Sequence, residues 1–375
     1  MILNRRKFLK ATGSAGLLTS SGIGGLLMDL YAFGNEANLS AVEARFYEKH
    51  PDREIECKLC PRFCKLGDKE RGYCGVRENR DGIYYTLVYG KACSINVDPV
   101  EKKPLFHFLP GEMALSFASA GCNVNCKFCQ NWEISQVRPE QIRHIDFPPD
   151  AVIRMAQNYQ SPIVAYTYSE PVVFYEYMVD TSVLARKNKL KNVVITGGHV
   201  NPDPLKELIQ VVDAIKVDLK SFSQDFYKEY VKGELKPVLD AIKLIAESQI
   251  WLEIVYLVIP TLNDGLEEIR RLSRWLVGEI GPDVPIHFSR FQPMYLLKNL
   301  PPTPVSTLEK IREVALREGM HYVYIGNIPG HEAENTYCPS CKKLCVERHG
   351  YLIKRNDIKN GKCRFCEHPI PGVWS

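Results

Sequence analysis

Beyond its amino-terminal stretch, the 375-residue sequence has no apolar run long enough to cross a bilayer, so no further helical span is expected. Charge of one sign is scarce too. The 48 Lys and Arg against 44 Asp and Glu leave a net +4, too little to imply a nucleic-acid partner. There is no low-complexity tract and no internal repeat, which excludes a chain assembled from copied modules. The apolar share of 45% and charged share of 25% are those of an ordinary globular protein. A chain of this length can bury one large core, with or without small satellites.

Cysteine is plentiful but unevenly placed. None occurs between Cys129 and Cys338, and twelve of the thirteen fall into three clusters, with Cys93 alone. Paired C-x2-C units favour metal sites over a disulfide framework, and a chain this long needs no disulfide staples.

From Met113 onward, short apolar runs alternate with longer runs of helical period. The strand candidates are MALSFASA, IVAYTYS, NVVITGG, AIKVDLK, WLEIVYLVIP, IHFSRFQP and HYVYIGN. The helix candidates between them are DAVIRMAQNY, PVVFYEYMVDTSVLARKNK, KPVLDAIKLIAES, LEEIRRLSRWLVGEI and STLEKIREVALREG. Successive βα units argue for an α/β fold, a partial or complete (βα) barrel whose sites gather on the face after each strand. The expected organisation is a leader (1–36), a Cys-rich metal-binding segment (47–80) and a linker (81–112). The barrel core (113–332) and a small Cys-rich appendage (335–375) follow.

The most informative stretch is GCNVNCKFCQNWEIS, where Cys122, Cys126 and Cys129 follow the first strand candidate with spacing C-x3-C-x2-C. Four thiolates normally cap a 4Fe-4S cluster, so three leave one iron open. The alternative is a structural zinc that takes its fourth ligand from elsewhere. Cys57, Cys60, Cys64 and Cys74 form a closed set for zinc or an auxiliary cluster, and the absence of ferredoxin spacing favours zinc. Cys338, Cys341, Cys363 and Cys366 form two knuckles that read as a zinc-ribbon or rubredoxin-like site, with zinc favoured over iron. Cys345 and Cys93 read as ordinary small apolar residues.

The triplet, with Phe128 before its last cysteine and a barrel strand ahead of it, resembles the signature of the radical S-adenosylmethionine (radical SAM) superfamily. That resemblance implies that the open iron takes the amino and carboxylate groups of S-adenosylmethionine. One electron then splits the sulfonium into methionine and a 5′-deoxyadenosyl radical, which abstracts hydrogen from a substrate. A low-potential electron donor of flavodoxin or ferredoxin type is implied as a partner. TYSEP (167–171) stands where the family has a Gly-Gly-Glu-like motif, with Tyr168 and Ser169 in place of the glycines and Glu170 on the cofactor's ammonium. Ser-Glu-Pro is equally a plain helix start.

IKVDLKS puts Asp218 and Lys220 on one side of a strand and is similar to the Asp-Leu-Lys motif of glycyl-radical activating enzymes. A buried ion pair is the plainer alternative. Gly197 and Gly198 would let backbone approach the cofactor, His199 could be a satisfied surface histidine, and Asn327 in YIGN would lie near the adenine by analogy. PTLND (260–264) and Arg290 fall at strand ends, in the mouth, without assigned roles.

The order CKLCPRFC…GYCGVR, DPVEKKPLFHFLPG, the triplet, then YCPSCKKL…GKCRFC and IPGVW resembles the radical SAM enzyme of the AmmeMemoRadiSam system, a relative of pyruvate formate-lyase activating enzymes. The resemblance implies proteins of that system's other two families as partners. Some activating enzymes carry extra clusters after the triplet, whereas here the second quartet precedes it. An activating enzyme that installs a glycyl radical is therefore the second reading. A non-catalytic electron carrier or metal scaffold is the rival, and it leaves the triplet unexplained. Arg5-Arg6-Lys7-Phe8-Leu9-Lys10 ahead of a Gly/Ser/Leu-rich run resembles a twin-arginine export signal, implying at most a leader-mediated membrane contact. Cofactor supply points instead to the cytoplasm, so localisation stays open.

Overall fold

The computed structural model describes residues 39–375, and the expected leader lies outside the described residues. The core is an eight-stranded sheet in sequential order. Its strands are β1 (Ser94–Pro99), β2 (Met113–Ala118), β3 (Ile163–Tyr166), β4 (Lys191–Thr196), β5 (Ala214–Asp218), β6 (Trp251–Val258), β7 (Ile286–Arg290) and β8 (Val323–Gly326). Every neighbouring pair is parallel except β1 and β2, which run antiparallel with Ile95 opposite Phe117. Among the described residues β1 and β8 do not pair with each other, so the sheet is a partial barrel.

The crossovers are helical: α1 (Pro149–Asn158), α2 (Tyr175–Lys187), α3 (Pro202–Ile209), α4 (Leu235–Ala246), α5 (Leu266–Ile280) and α6 (Val305–Arg317). Proline opens α1 and α3, where a missing N–H costs nothing. Gly281 ends α5 at φ +91°. In α4 the buried set Leu235, Val238, Ala241, Ile242 and Ile245 follows the helical repeat. These side chains meet Ile215 and Val217 of β5 in the same apolar core. Burying one such aliphatic side chain contributes about 1.5–3 kcal/mol. The sequence reading has no helix at α3, whose two turns are too short for the periodicity to stand out.

One expectation needs correcting. Residues 81–112 are not a linker, because Ser94–Pro99 pairs along its whole length with β2. The segment after it then runs beneath the sheet, placing Val100, Leu105 and Phe108 against Ala114, Ile163, Val193 and Ala214. The appendage, with its hairpin β9 (Leu344–His349) and β10 (Leu352–Asn356), has little core of its own, as its small size implies. Its Cys345, Val346 and Ile370 pack with Phe106, Tyr322 and Tyr324 at the strands' amino-terminal end. There Arg348 donates to the Phe106 carbonyl (2.8 Å), and its guanidinium lies over the Phe106 ring. Glu253 accepts the backbone N–H groups of Phe106 and His107 and faces His287 Nε2 at 2.7 Å.

The lower end of the partial barrel is therefore filled, and the upper, carboxyl-terminal rim carries the site. Among the described residues no helix is long and apolar enough to cross a membrane.

Candidate functional site

The triplet loop leaves β2 at Gly121, whose φ of +96° suits glycine. A Cβ there would stand 2.6 Å from Val76 Cγ1 and 2.8 Å from the Cys74 carbonyl oxygen, so the loop abuts the Cys-rich segment. A π-helical turn, Tyr227–Val231, holds the loop from the other side. Its carbonyls accept from Asn125 N–H (3.0 Å, Val231) and Lys127 N–H (2.9 Å, Tyr230). Phe128 is buried against the Phe226 ring beneath the loop, which makes it a packing support.

Cys126 is buried, and Cys122 and Cys129 are half-buried. Burial, then the Glu170 carboxylate, pushes the Cys122 thiol well above its ordinary range. Burial also raises Cys126 to about 12, although the Lys220 ammonium beside it pulls the other way. Thiols so placed give up their protons to a metal that supplies the compensating charge.

Glu170 makes the helix-start contact weighed from sequence and keeps room for one further donor. Its Oε1 accepts from Val172 N–H (3.1 Å), capping the turn Pro171–Phe174, and from Thr196 Oγ1 (2.6 Å). Its Oε2 accepts from Gly197 N–H at 2.8 Å. A carboxylate offers about four acceptor positions, so one is left for a further donor. Burial raises its carboxyl above the ordinary value, partly offset by those donors. Gly198 stands at φ +72°, where a Cβ would press on Val217.

Tyr168, at the glycine position of the resembled motif, holds φ +69°. Asn131 Nδ2 donates to its carbonyl (2.8 Å), and its phenol donates to Asp98 (3.0 Å). Lys103 Nζ reaches both that phenol (3.2 Å) and Asp98 (3.1 Å). Burial lowers the Lys103 ammonium to about 8 against the pull of Asp98. Sequence reasoning missed Lys103 and Asp98; their signal was the DPVEKKP run, read as linker and as a block of the resemblance but given no role in the site.

Asp218 and Lys220 do share a side, 3.2 Å apart, and the buried Lys216 is a second cation on the same carboxylate. Burial would raise Asp218, but Lys216 and Lys220 outweigh it and hold the carboxyl below its ordinary range. Burial opposes the Lys220 charge, yet Asp218 and Cys126 leave its ammonium raised. PTLND acts through Asn263, whose Nδ2 donates to the Lys220 carbonyl at 2.8 Å.

His199 is not a satisfied surface residue: it is buried, and neither ring nitrogen has a partner among the described residues. Burial, then Arg62, lowers it to about 4, so the ring is neutral. Asn327 and Arg290 sit together on the far rim, Asn327 Nδ2 donating to the Arg290 carbonyl at 3.1 Å. Tyr324, from the same YIGN motif, instead points down to His107 and Thr336.

The carboxyl-terminal quartet does converge. Cys338, Cys341, Cys363 and Cys366 hold their sulfurs within 4.8 Å of one another, with Cys338–Cys366 at 3.6 Å and Cys341–Cys363 at 3.7 Å. This set could bind a metal ion. Cys345 is not a spare, for its thiol donates to the Cys363 sulfur at 3.6 Å. Cys93 makes only a weak contact with the Ala118 carbonyl, at 3.4 Å.

Residues 117–275, which include the triplet, Glu170 and Lys220, match the Radical SAM superfamily. The uncharacterized protein MJ0808 of Methanocaldococcus jannaschii is 46% identical over 330 residues, 88% of this chain and 98% of its own length. The pyruvate formate-lyase 1-activating enzyme of Escherichia coli K12 is 24% identical over 172 residues, 44% of this chain and 69% of that protein. A solved radical SAM methyltransferase from Sphaerobacter thermophilus aligns with TM-score 0.46 and 15% identity, over 58% of this chain and 67% of that one.

The chain belongs to the same family as the MJ0808 protein, and through the radical SAM domain at residues 117–275 it is an enzyme. That domain implies a 4Fe-4S cluster and S-adenosylmethionine, and the residues fit them. Three thiols at the rim, an acceptor position left on Glu170, and unpartnered buried atoms on His199 and Asn123 (Oδ1) stand together there.

Proposed function

We propose that this enzyme cleaves S-adenosylmethionine reductively and abstracts hydrogen from a substrate held inside the partial barrel. The observation that carries it is the gathering of Cys122, Cys126, Glu170 and Lys220 at the carboxyl ends of β2, β3 and β5. When bound, the reduced cluster would supply one electron to the sulfonium of S-adenosylmethionine, the chemistry on which hydrogen abstraction depends. Glu170 offers its remaining acceptor position to the cofactor's ammonium, a charge-assisted hydrogen bond. Lys220, whose ammonium pairs with Asp218 and whose backbone carbonyl Asn263 holds, is our candidate partner for the cofactor's carboxylate. The filled lower end of the barrel keeps water from the reacting atoms on that side.

The test is anaerobic: reconstitute with iron and sulfide, reduce, add S-adenosylmethionine and quantify 5′-deoxyadenosine beside a Cys126→Ala control. Product from the unmutated chain alone supports the reading. A cluster indifferent to S-adenosylmethionine in the unmutated chain sinks it.

The likeness to an activating enzyme supports a second reading, in which the substrate is a glycine of a partner protein. The order of the cysteine blocks supports assignment to the AmmeMemoRadiSam system, with a flavodoxin or ferredoxin as electron donor and the system's other two families as partners. For the carboxyl-terminal site we favour zinc over iron because two C-x2-C knuckles are a common structural zinc set, and thiolates about 2.3 Å from any one tetrahedral ion stand about 3.8 Å apart. The observed 3.6 and 3.7 Å agree with that edge.

A further inference from the structure

The amino-terminal quartet has a different geometry from the carboxyl-terminal one. Among the described residues, the sulfurs of Cys57, Cys60, Cys64 and Cys74 are not among the sets gathered within 4.8 Å of one another, whereas the other quartet is. Instead they line one cavity of about 20 Å³ together with Gly72, Tyr73 and Tyr84. That is room for a body at least the size of a water molecule, which thiolates in mutual contact around one ion do not leave.

Glycine at position 72 keeps the space open. A Cβ there would meet the Tyr84 hydroxyl at 2.7 Å and stand 3.8 and 3.9 Å from the sulfurs of Cys74 and Cys64. Each sulfur also faces a backbone N–H. Leu59 serves Cys57, Arg62 serves Cys60 and Val76 serves Cys74, while Tyr73 N–H lies 3.4 Å from Cys64. Donors of this kind stabilise thiolate charge and tune the potential of iron–sulfur centres. The nearby guanidinium of Arg77, paired with Glu176, faces Cys57 and Cys74.

We infer that Cys57, Cys60, Cys64 and Cys74 hold a second iron–sulfur cluster of the 4Fe-4S class, not a single zinc ion. This goes beyond the cleavage chemistry and does not depend on it. The centre adjoins the triplet: Asn123, next to Cys122, lines the same cavity, and Tyr73 faces Cys122 and Cys126.

The test uses the full chain with Cys122→Ala, Cys126→Ala and Cys129→Ala combined, so the quartet is left intact. After anaerobic loading with iron, sulfide and zinc together, about four acid-labile sulfides per chain are expected, with a visible absorbance that bleaches on reduction. Adding Cys60→Ser removes that sulfide. In the unmutated chain the count rises to about eight sulfides, a reading that survives if the triple variant fails to fold. Zinc without acid-labile sulfide in the triple variant, or a sulfide count in the unmutated chain that Cys60→Ser does not lower, overturns the inference. Either count is independent of whether 5′-deoxyadenosine forms.

Discussion

At the scale of single residues, Tyr168 and Glu101 show what the fold tolerates. A non-glycine residue in the left-handed region costs about 1–2 kcal/mol. Tyr168 is held there by Asn131 on its carbonyl and by Asp98 and Lys103 on its phenol. A glycine at that position could not make the phenol contacts, which gives a physical reason for the departure from the family motif. Glu101 lies buried under the sheet with Oε1 on Gly111 N–H and Oε2 unpartnered among the described residues. Burial raises its carboxyl from the ordinary 4.5 to about 7. Because the folded state holds that proton more tightly, its contribution to stability is present below pH 4.5 and is lost as pH rises through about 7. We expect Glu101→Gln to raise the melting temperature at pH 8 and to change it little at pH 5. Thermal melts at the two values check this, and an equal shift at both would count against it.

Elements set the geometry of the rim, and here sequence and structure can be compared directly. Asp218 ends β5 and Lys220 follows two residues on, their side chains paired at 3.2 Å as alternation suggested, and the position of the triplet after β2 followed from the βα rhythm. The π-helical turn that anchors the triplet loop was not legible, because its role lies in backbone carbonyls that no side chain announces. Lys103 and Asp98 were hidden because β1 is antiparallel and, with the segment after it, stands before the rhythm begins. Lys216 falls inside a run read as strand, and only the face it shares with Asp218 shows its use. His199 looked like a surface residue because burial by neighbouring loops has no local signature. The contact between loops also yields a prediction. Gly121→Ala would press into Val76 and the Cys74 carbonyl, and overpacking of this kind costs about 1–3 kcal/mol. A lower urea midpoint, with less iron retained at the triplet, is the expected result; an unchanged midpoint would mean the loop moves freely from the Cys-rich segment.

The molecule as a whole joins its carboxyl-terminal appendage to the underside of the sheet through Phe106, Tyr322, Tyr324 and Arg348. From sequence, the four cysteines marked a metal knot, but nothing local told that the knot shares its core with strands from elsewhere in the chain. Metal removal should therefore weaken the whole enzyme at once. With a strong chelator, we expect one melting transition moved to lower temperature, and a Cys341→Ala variant already melting there and indifferent to chelator. A separate early transition confined to the appendage would contradict the shared core. The closed underside also bears on traffic. With the floor filled, nothing passes by that end, so whatever the rim binds arrives and departs past the triplet loop or along the seam that β1 and β8 leave open.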